Sequence, residues 1–76
     1  MRIRSKAEVG KEMERLRIAK GYTKEALAER IGVKVSKIDM LERGETDLPI
    51  TVFLKLCVAL GVEDLDDLIY EKEPLQ

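Results

Sequence analysis

The sequence predicts an all-α protein, a compact bundle of five short helices forming one domain over residues 1–76. Three observations carry that expectation. Apolar residues recur at i, i+3, i+4 and i+7, the spacing of one helical face. Gly21, Gly32, Gly44 and Gly61 each close one of the periodic stretches, where a helix commonly ends. Ser5, Thr23 and Pro49 stand where three of the stretches begin, and these residue types suit a helix start.

The first helix is expected to open after Ser5. Ser5-Lys6-Ala7-Glu8 fits the capping box, a hydroxyl followed three residues later by a carboxylate. Val9, Met13 and Leu16 then share a face, and Lys20 sits beside the C-terminal carbonyls. The second helix opens at Thr23, buries Leu27, Ala28 and Ile31, and stops at Gly32. The third covers Val35 to Arg43 with Ile38 and Leu41 inward. Lys34 precedes it without a capping side chain, which weakens the start by about 1 kcal/mol. Two short helices joined by a tight glycine turn give the outline of a helix-turn-helix. A polar loop leads to Pro49 and a fourth helix with a core stripe of Phe53, Leu56, Cys57 and Leu60. Cys57 lies on that stripe as a small buried hydrophobe. The fifth helix is expected over Glu63 to Tyr70, with acidic residues in its first turn. The domain core is expected over about residues 6–70, with frayed ends at 1–4 and 71–76.

Composition narrows the function. There is no histidine and one cysteine, so disulfides, a zinc site and the commonest general base all drop out. No Gly-rich phosphate loop, nucleophile set or metal cluster replaces them, so an enzyme is not expected, nor a cofactor. No apolar run nears the roughly 20 residues that span a bilayer. The N-terminus lacks the apolar stretch of a signal peptide. The expected setting is a soluble cytoplasmic protein with no membrane partner. Three scattered aromatics, Tyr22, Phe53 and Tyr70, make no stacking platform for RNA. The net charge of −1 hides a polarity. Residues 1–43 carry 12 Lys/Arg against 7 Asp/Glu, whereas residues 44–76 carry 2 against 8. That asymmetry suits a basic working side and an acidic far side.

The ordered string Leu16-Arg17, Gly21-Tyr22-Thr23, Leu27-Ala28, Ile31-Gly32-Val33, Ile38, Glu42-Arg43-Gly44 and Leu60-Gly61-Val62 sharpens this outline. Over about residues 9–70 the chain resembles the lambda-repressor-like, Cro/C-repressor (XRE) family of helix-turn-helix DNA-binding domains. The resemblance implies that helices 2 and 3 form the DNA-binding unit, with helix 3 entering the major groove of double-stranded DNA. It implies a structural ion pair between Arg17 and Glu42 that clamps helix 1 to the end of helix 3.

Contact residues carry over one at a time. Where the family usually has Gln at the first residue of helix 2, this chain has Lys24, a point charge for a phosphate, directly after Thr23. The base-reading positions fall on Val35, Ser36 and Met40, with Lys37 adjacent; Lys34 and Arg43 flank them. Ser36 can donate or accept, whereas Val35 and Met40 offer apolar contact, for example with a thymine methyl. Relatives often have a base just after the glycine that ends helix 3; here Glu45 and Asp47 stand in that loop.

The leading expectation is a sequence-specific transcriptional regulator, a repressor, acting as a homodimer on a pseudo-palindromic operator. Two copies would place half-sites about 34–36 Å apart. Leu65, Leu68, Ile69 and Tyr70 are the candidate dimer face, away from helix 3. Leu65 and Leu68 can instead close the core of a single copy. The alternative is an antitoxin-like or adaptor module that keeps this fold, binds DNA weakly and uses an apolar or acidic C-terminal face to hold a protein partner.

Overall fold

The computed structural model describes residues 2–71. In chain order it contains β1 (Arg2–Ile3), α1 (Lys6–Ala19), α2 (Lys24–Ile31), α3 (Val35–Arg43), α4 (Ile50–Leu60), α5 (Asp66–Ile69) and β2 (Tyr70–Glu71). The helix starts follow the sequence closely. Ser5 Oγ accepts from Glu8 N at 3.2 Å while the Glu8 carboxylate accepts from Ser5 N at 3.0 Å, a complete capping box. Thr23 Oγ1 accepts from Ala26 N at 3.0 Å. Lys34 makes no side-chain cap, as its chemistry requires.

Every helix contributes to one core. Its largest fully buried side chains are Leu27, Ile38, Leu56, Leu60 and Leu68, so α2, α3, α4 and α5 all meet there. Met13 adds α1. The α2–α3 turn closes on Gly32, whose φ of +75° lies where a side chain would be strained. Ala28, 2% exposed, sits at the foot of that turn.

α1 packs along α3 at unusually short range. A Cβ on Gly10 would lie 2.4 Å from the Glu42 carbonyl oxygen and 2.5 Å from that of Leu41. Gly44 makes the matching close approach nearer the start of α1. It has φ +71°, and a Cβ there would come within 2.7 Å of the Ala7 backbone. Two glycines thus let the end of α3 rest on the first half of α1.

The C-terminal end departs from the sequence expectation. α5 is only four residues, Asp66–Ile69, where a helix from Glu63 to Tyr70 is expected. Asp66 and Asp67 stand in its first turn, as expected of the acidic residues, and Asp64 Oδ1 accepts from Asp66 N at 3.0 Å at the entry to the helix. At the other end Tyr70 turns extended and pairs with Ile3, and Glu71 pairs with Arg2, in an antiparallel two-stranded sheet. Nothing in the local sequence of either pair announces a strand, since the partners are nearly a whole chain apart. The expected fraying at 2–4 and 71 is therefore corrected. Arg4 N donates to Ile69 O at 2.8 Å, and the Arg4 guanidinium donates to the carbonyls of Asp67 and Leu68. Arg2 bridges the carboxylates of Glu8 and Glu71. The same expectation for residues 1 and 72–76 lies outside the described residues. Leu68, 1% exposed, anchors α5; burying such a side chain contributes about 1.5–3 kcal/mol.

Candidate nucleic-acid interface

α3 has two faces with different duties. Ile38 and Leu41 are 1% and 4% exposed and fix the helix to the core. Val35, Ser36 and Met40 point the other way and are exposed. Exposed valine and methionine on a helix that is otherwise anchored leave an apolar surface open to solvent. Lys34 is exposed beside them. Lys37 is half-buried, its Nζ 3.5 Å from Thr46 Oγ1, so its ammonium is drawn toward the loop after α3.

The buried pair at the base of α3 is present as the resemblance implies. Arg17 Nε donates to Glu42 Oε2 at 2.7 Å and Arg17 Nη2 to Glu42 Oε1 at 3.4 Å. The third arm of the guanidinium, Nη1, donates to the Tyr22 carbonyl at 2.8 Å. Arg17 therefore holds the end of α3 and the α1–α2 turn together. Both side chains are shielded from water, which strengthens a bidentate pair of this kind.

Thr23 is exposed, with its hydroxyl engaged in the α2 cap. Lys24 is not a free cation. Its Nζ donates to Asp39 Oδ1 at 2.6 Å. The other oxygen of the same carboxylate, Oδ2, takes Arg43 Nη2 at 2.6 Å, and Arg43 Nε lies 3.2 Å from Glu45 Oε1. The Lys24 hydrogen bond holds the Asp39 carboxyl below the usual range, and Asp39 in turn raises Lys24. Lys24, expected as a phosphate contact, and Arg43, expected to flank the reading face, are thus brought together by one carboxylate. Asp39 is the residue that sequence reasoning missed. Its i,i+4 relation to Arg43 is legible in the sequence, but its link to Lys24 crosses two helices and has no local signal.

The expected dimer face is divided. Leu68 belongs to the monomer core, Leu65 is 37% exposed, and Ile69 and Tyr70 are half-buried, Tyr70 within β2. A larger apolar surface lies on α4, where Ile50, Leu54 and Val58 follow one another at i, i+4 and i+8 and are 65%, 47% and 80% exposed. Cys57 is buried, and burial pushes its thiol up, away from the reactive thiolate. Among the described residues no helix is long and apolar enough to cross a membrane.

The helix-turn-helix family matches residues 13–68 of the chain. Solved structures agree. The restriction-modification controller protein C.AhdI from Aeromonas hydrophila is 35% identical, with a TM-score of 0.72 over 75% of this chain and 86% of that one. The clp gene regulator ClgR from C. glutamicum is 30% identical, with a TM-score of 0.76 over 83% and 81%. The SinR protein in a SinR/SinI complex is 31% identical, with a TM-score of 0.70 over 79% and 58%. No curated protein sequence matches the chain. The chain belongs to the helix-turn-helix family, of the lambda-repressor-like (XRE) type. It is a DNA-binding transcription regulator by class and not an enzyme.

Proposed function

We propose that the protein is a cytoplasmic, sequence-specific repressor that binds a pseudo-palindromic operator as a homodimer. The observation that carries this reading is the two-faced α3. Ile38 and Leu41 hold it from below, while Val35, Ser36 and Met40 stand open to solvent. A major groove about 12 Å wide admits a helix presented in this way. Ser36 and Lys37 supply the polar readout, and Val35 and Met40 favour thymine methyls. Thr23, Lys24, Lys34 and Arg43 border the face and take the phosphates. Phosphate contacts set position and salt dependence, whereas the α3 contacts set sequence. In the dimer, Leu65 with the exposed edges of Ile69 and Tyr70 forms the two-fold contact, now without Leu68. Protection of a duplex by the protein at low salt, tested by footprinting, supports the reading, and its absence refutes it.

A second reading is favoured by the α4 stripe of Ile50, Leu54 and Val58. Contiguous exposed apolar residues of this kind mark partner surfaces. On that reading the fold is an adaptor or antitoxin-like module that binds DNA weakly and a protein partner through its apolar side. It predicts duplex binding that favours no sequence and fades as salt rises, together with a stable complex with a co-expressed partner.

A further inference from the structure

We propose that Asp39 is a gate on the DNA face: in the free protein its carboxylate occupies Lys24 and Arg43, the two cations that phosphates would otherwise bind, and so suppresses binding to random sequence. The inference rests on the duplex-binding reading above and adds to it a residue that sets specificity.

The geometry is that of one anion shared between two cations. Lys24 Nζ meets Oδ1 and Arg43 Nη2 meets Oδ2, each at 2.6 Å. Glu45 lies 3.2 Å from the remaining face of Arg43 through Nε. Lys24 begins α2, Asp39 lies in mid-α3 and Arg43 ends α3, so the shared carboxylate spans both helices of the DNA-binding unit. Asp39 also sits one helical turn beyond Val35 and Ser36 on α3.

Two consequences follow from charge alone. A phosphate that reaches Lys24 or Arg43 must take the place of a carboxylate already there. The exchange replaces one oxyanion by another, so it releases little net attraction, and the displaced Asp39 is left close to the DNA. Random duplex therefore gains little from these two cations. A duplex whose bases satisfy Ser36, Val35 and Met40 gains enough elsewhere to displace Asp39. The side chain of Asp39 is 34% exposed and that of Lys24 35%; ion pairs at such exposure exchange readily. The arrangement is thus a threshold rather than a lock.

The test is fluorescence anisotropy of a labelled random-sequence duplex, titrated with wild type and Asp39→Asn over a range of salt. Asp39→Asn is expected to bind random duplex about three- to tenfold tighter, with a salt slope steeper by about 1. Asp39→Glu, which keeps the charge, is expected to bind as weakly as wild type. Glu63→Gln changes the net charge equally but lies between α4 and α5, outside the helix-turn-helix unit, and is expected to leave the slope unchanged. Thermal melts verify that each variant folds, and Asp39→Ser replaces Asn if Asn fails to. In a Lys24→Ala background the gain from Asp39→Asn should shrink by half or more. Weaker or unchanged binding by Asp39→Asn overturns the gate while leaving the DNA reading intact, because wild type still binds. A gain no larger than that of Glu63→Gln also overturns it. Binding by Asp39→Asn with none by wild type supports the gate. Binding by neither refutes both the gate and the DNA reading.

Discussion

Arg17 and Glu42 are locked in a buried bidentate pair, at 2.7 and 3.4 Å, that also recruits the Tyr22 carbonyl. The pair joins α1, the α1–α2 turn and the end of α3. It therefore fixes the angle at which α3 is presented. Removing one partner leaves the other charge stranded out of water, a loss of about 3–5 kcal/mol. A domain of this size holds only about 3–5 kcal/mol in total. Arg17→Ala and Glu42→Ala are thus expected to be largely unfolded at 25 °C by circular dichroism. A melting temperature within two or three degrees of wild type would show that the pair contributes little.

Gly10→Ala weighs two opposed effects. Alanine favours a helix interior by about 0.8–1 kcal/mol over glycine. The new Cβ, however, would lie 2.4–2.7 Å from the backbone of Leu41 and Glu42, which cannot swing aside as a side chain can. Overpacking of this kind costs about 1–3 kcal/mol. The clash is expected to win, so Gly10→Ala should melt lower. Gly32→Ala meets nothing within 4 Å and should cost only the roughly 1–2 kcal/mol of its left-handed backbone. A stabilised Gly10→Ala would mean that α1 and α3 are further apart than described.

The N-terminal strand has a pH signature. Hydrogen bonds from the Arg2 guanidinium, then from the Ser5 N–H, lower the Glu8 carboxyl to about 2. The ordinary carboxyl of glutamate titrates near about 4.3. Because the folded value lies below the unfolded one, the stabilisation is fully present above the unfolded value and is lost as pH falls toward 2. In a carboxyl-detected NMR titration, Arg2→Ala should return Glu8 toward the ordinary range. No movement of Glu8 would show that Arg2 does not reach it.

The proposed dimer is tested at Leu65, since Leu68 is core and Ile69 packs against it. Leu65→Asp is expected to leave the melting temperature of the monomer fold within a few degrees, because exposed substitutions change stability by about 0.5 kcal/mol or less. It should raise the dimer dissociation constant at least tenfold in sedimentation equilibrium. A variant as dimeric as wild type would move the contact elsewhere, the α4 stripe being the next surface to alter.

Much of the fold was legible because its signals are local. Ser5 with Glu8, Thr23, Pro49 and the four closing glycines sit within a few residues of the helix ends they define. The Arg17–Glu42 pair, 25 residues apart, was legible only through the family resemblance. What stayed hidden depends on distant chain. Tyr70 carries a helix-compatible sequence but is captured by Ile3 across the whole domain. Gly10 looks like an ordinary helix residue until α3 is laid on it. At the interface, the exposed face of Val35, Ser36 and Met40 follows from helical spacing, whereas the hold of Asp39 on Lys24 exists only once α2 and α3 are packed.

In the proposed function, α3 reads DNA sequence in two symmetric copies. Selection of bound duplexes from a random library, repeated with Ser36→Ala and Lys37→Ala, measures that readout. Wild type is expected to enrich a pseudo-palindrome with half-sites about one helical turn apart. Each variant should relax one position of the half-site, by about 1–3 kcal/mol where the lost contact is to a base. No enriched motif, or a motif that both variants select unchanged, would contradict it.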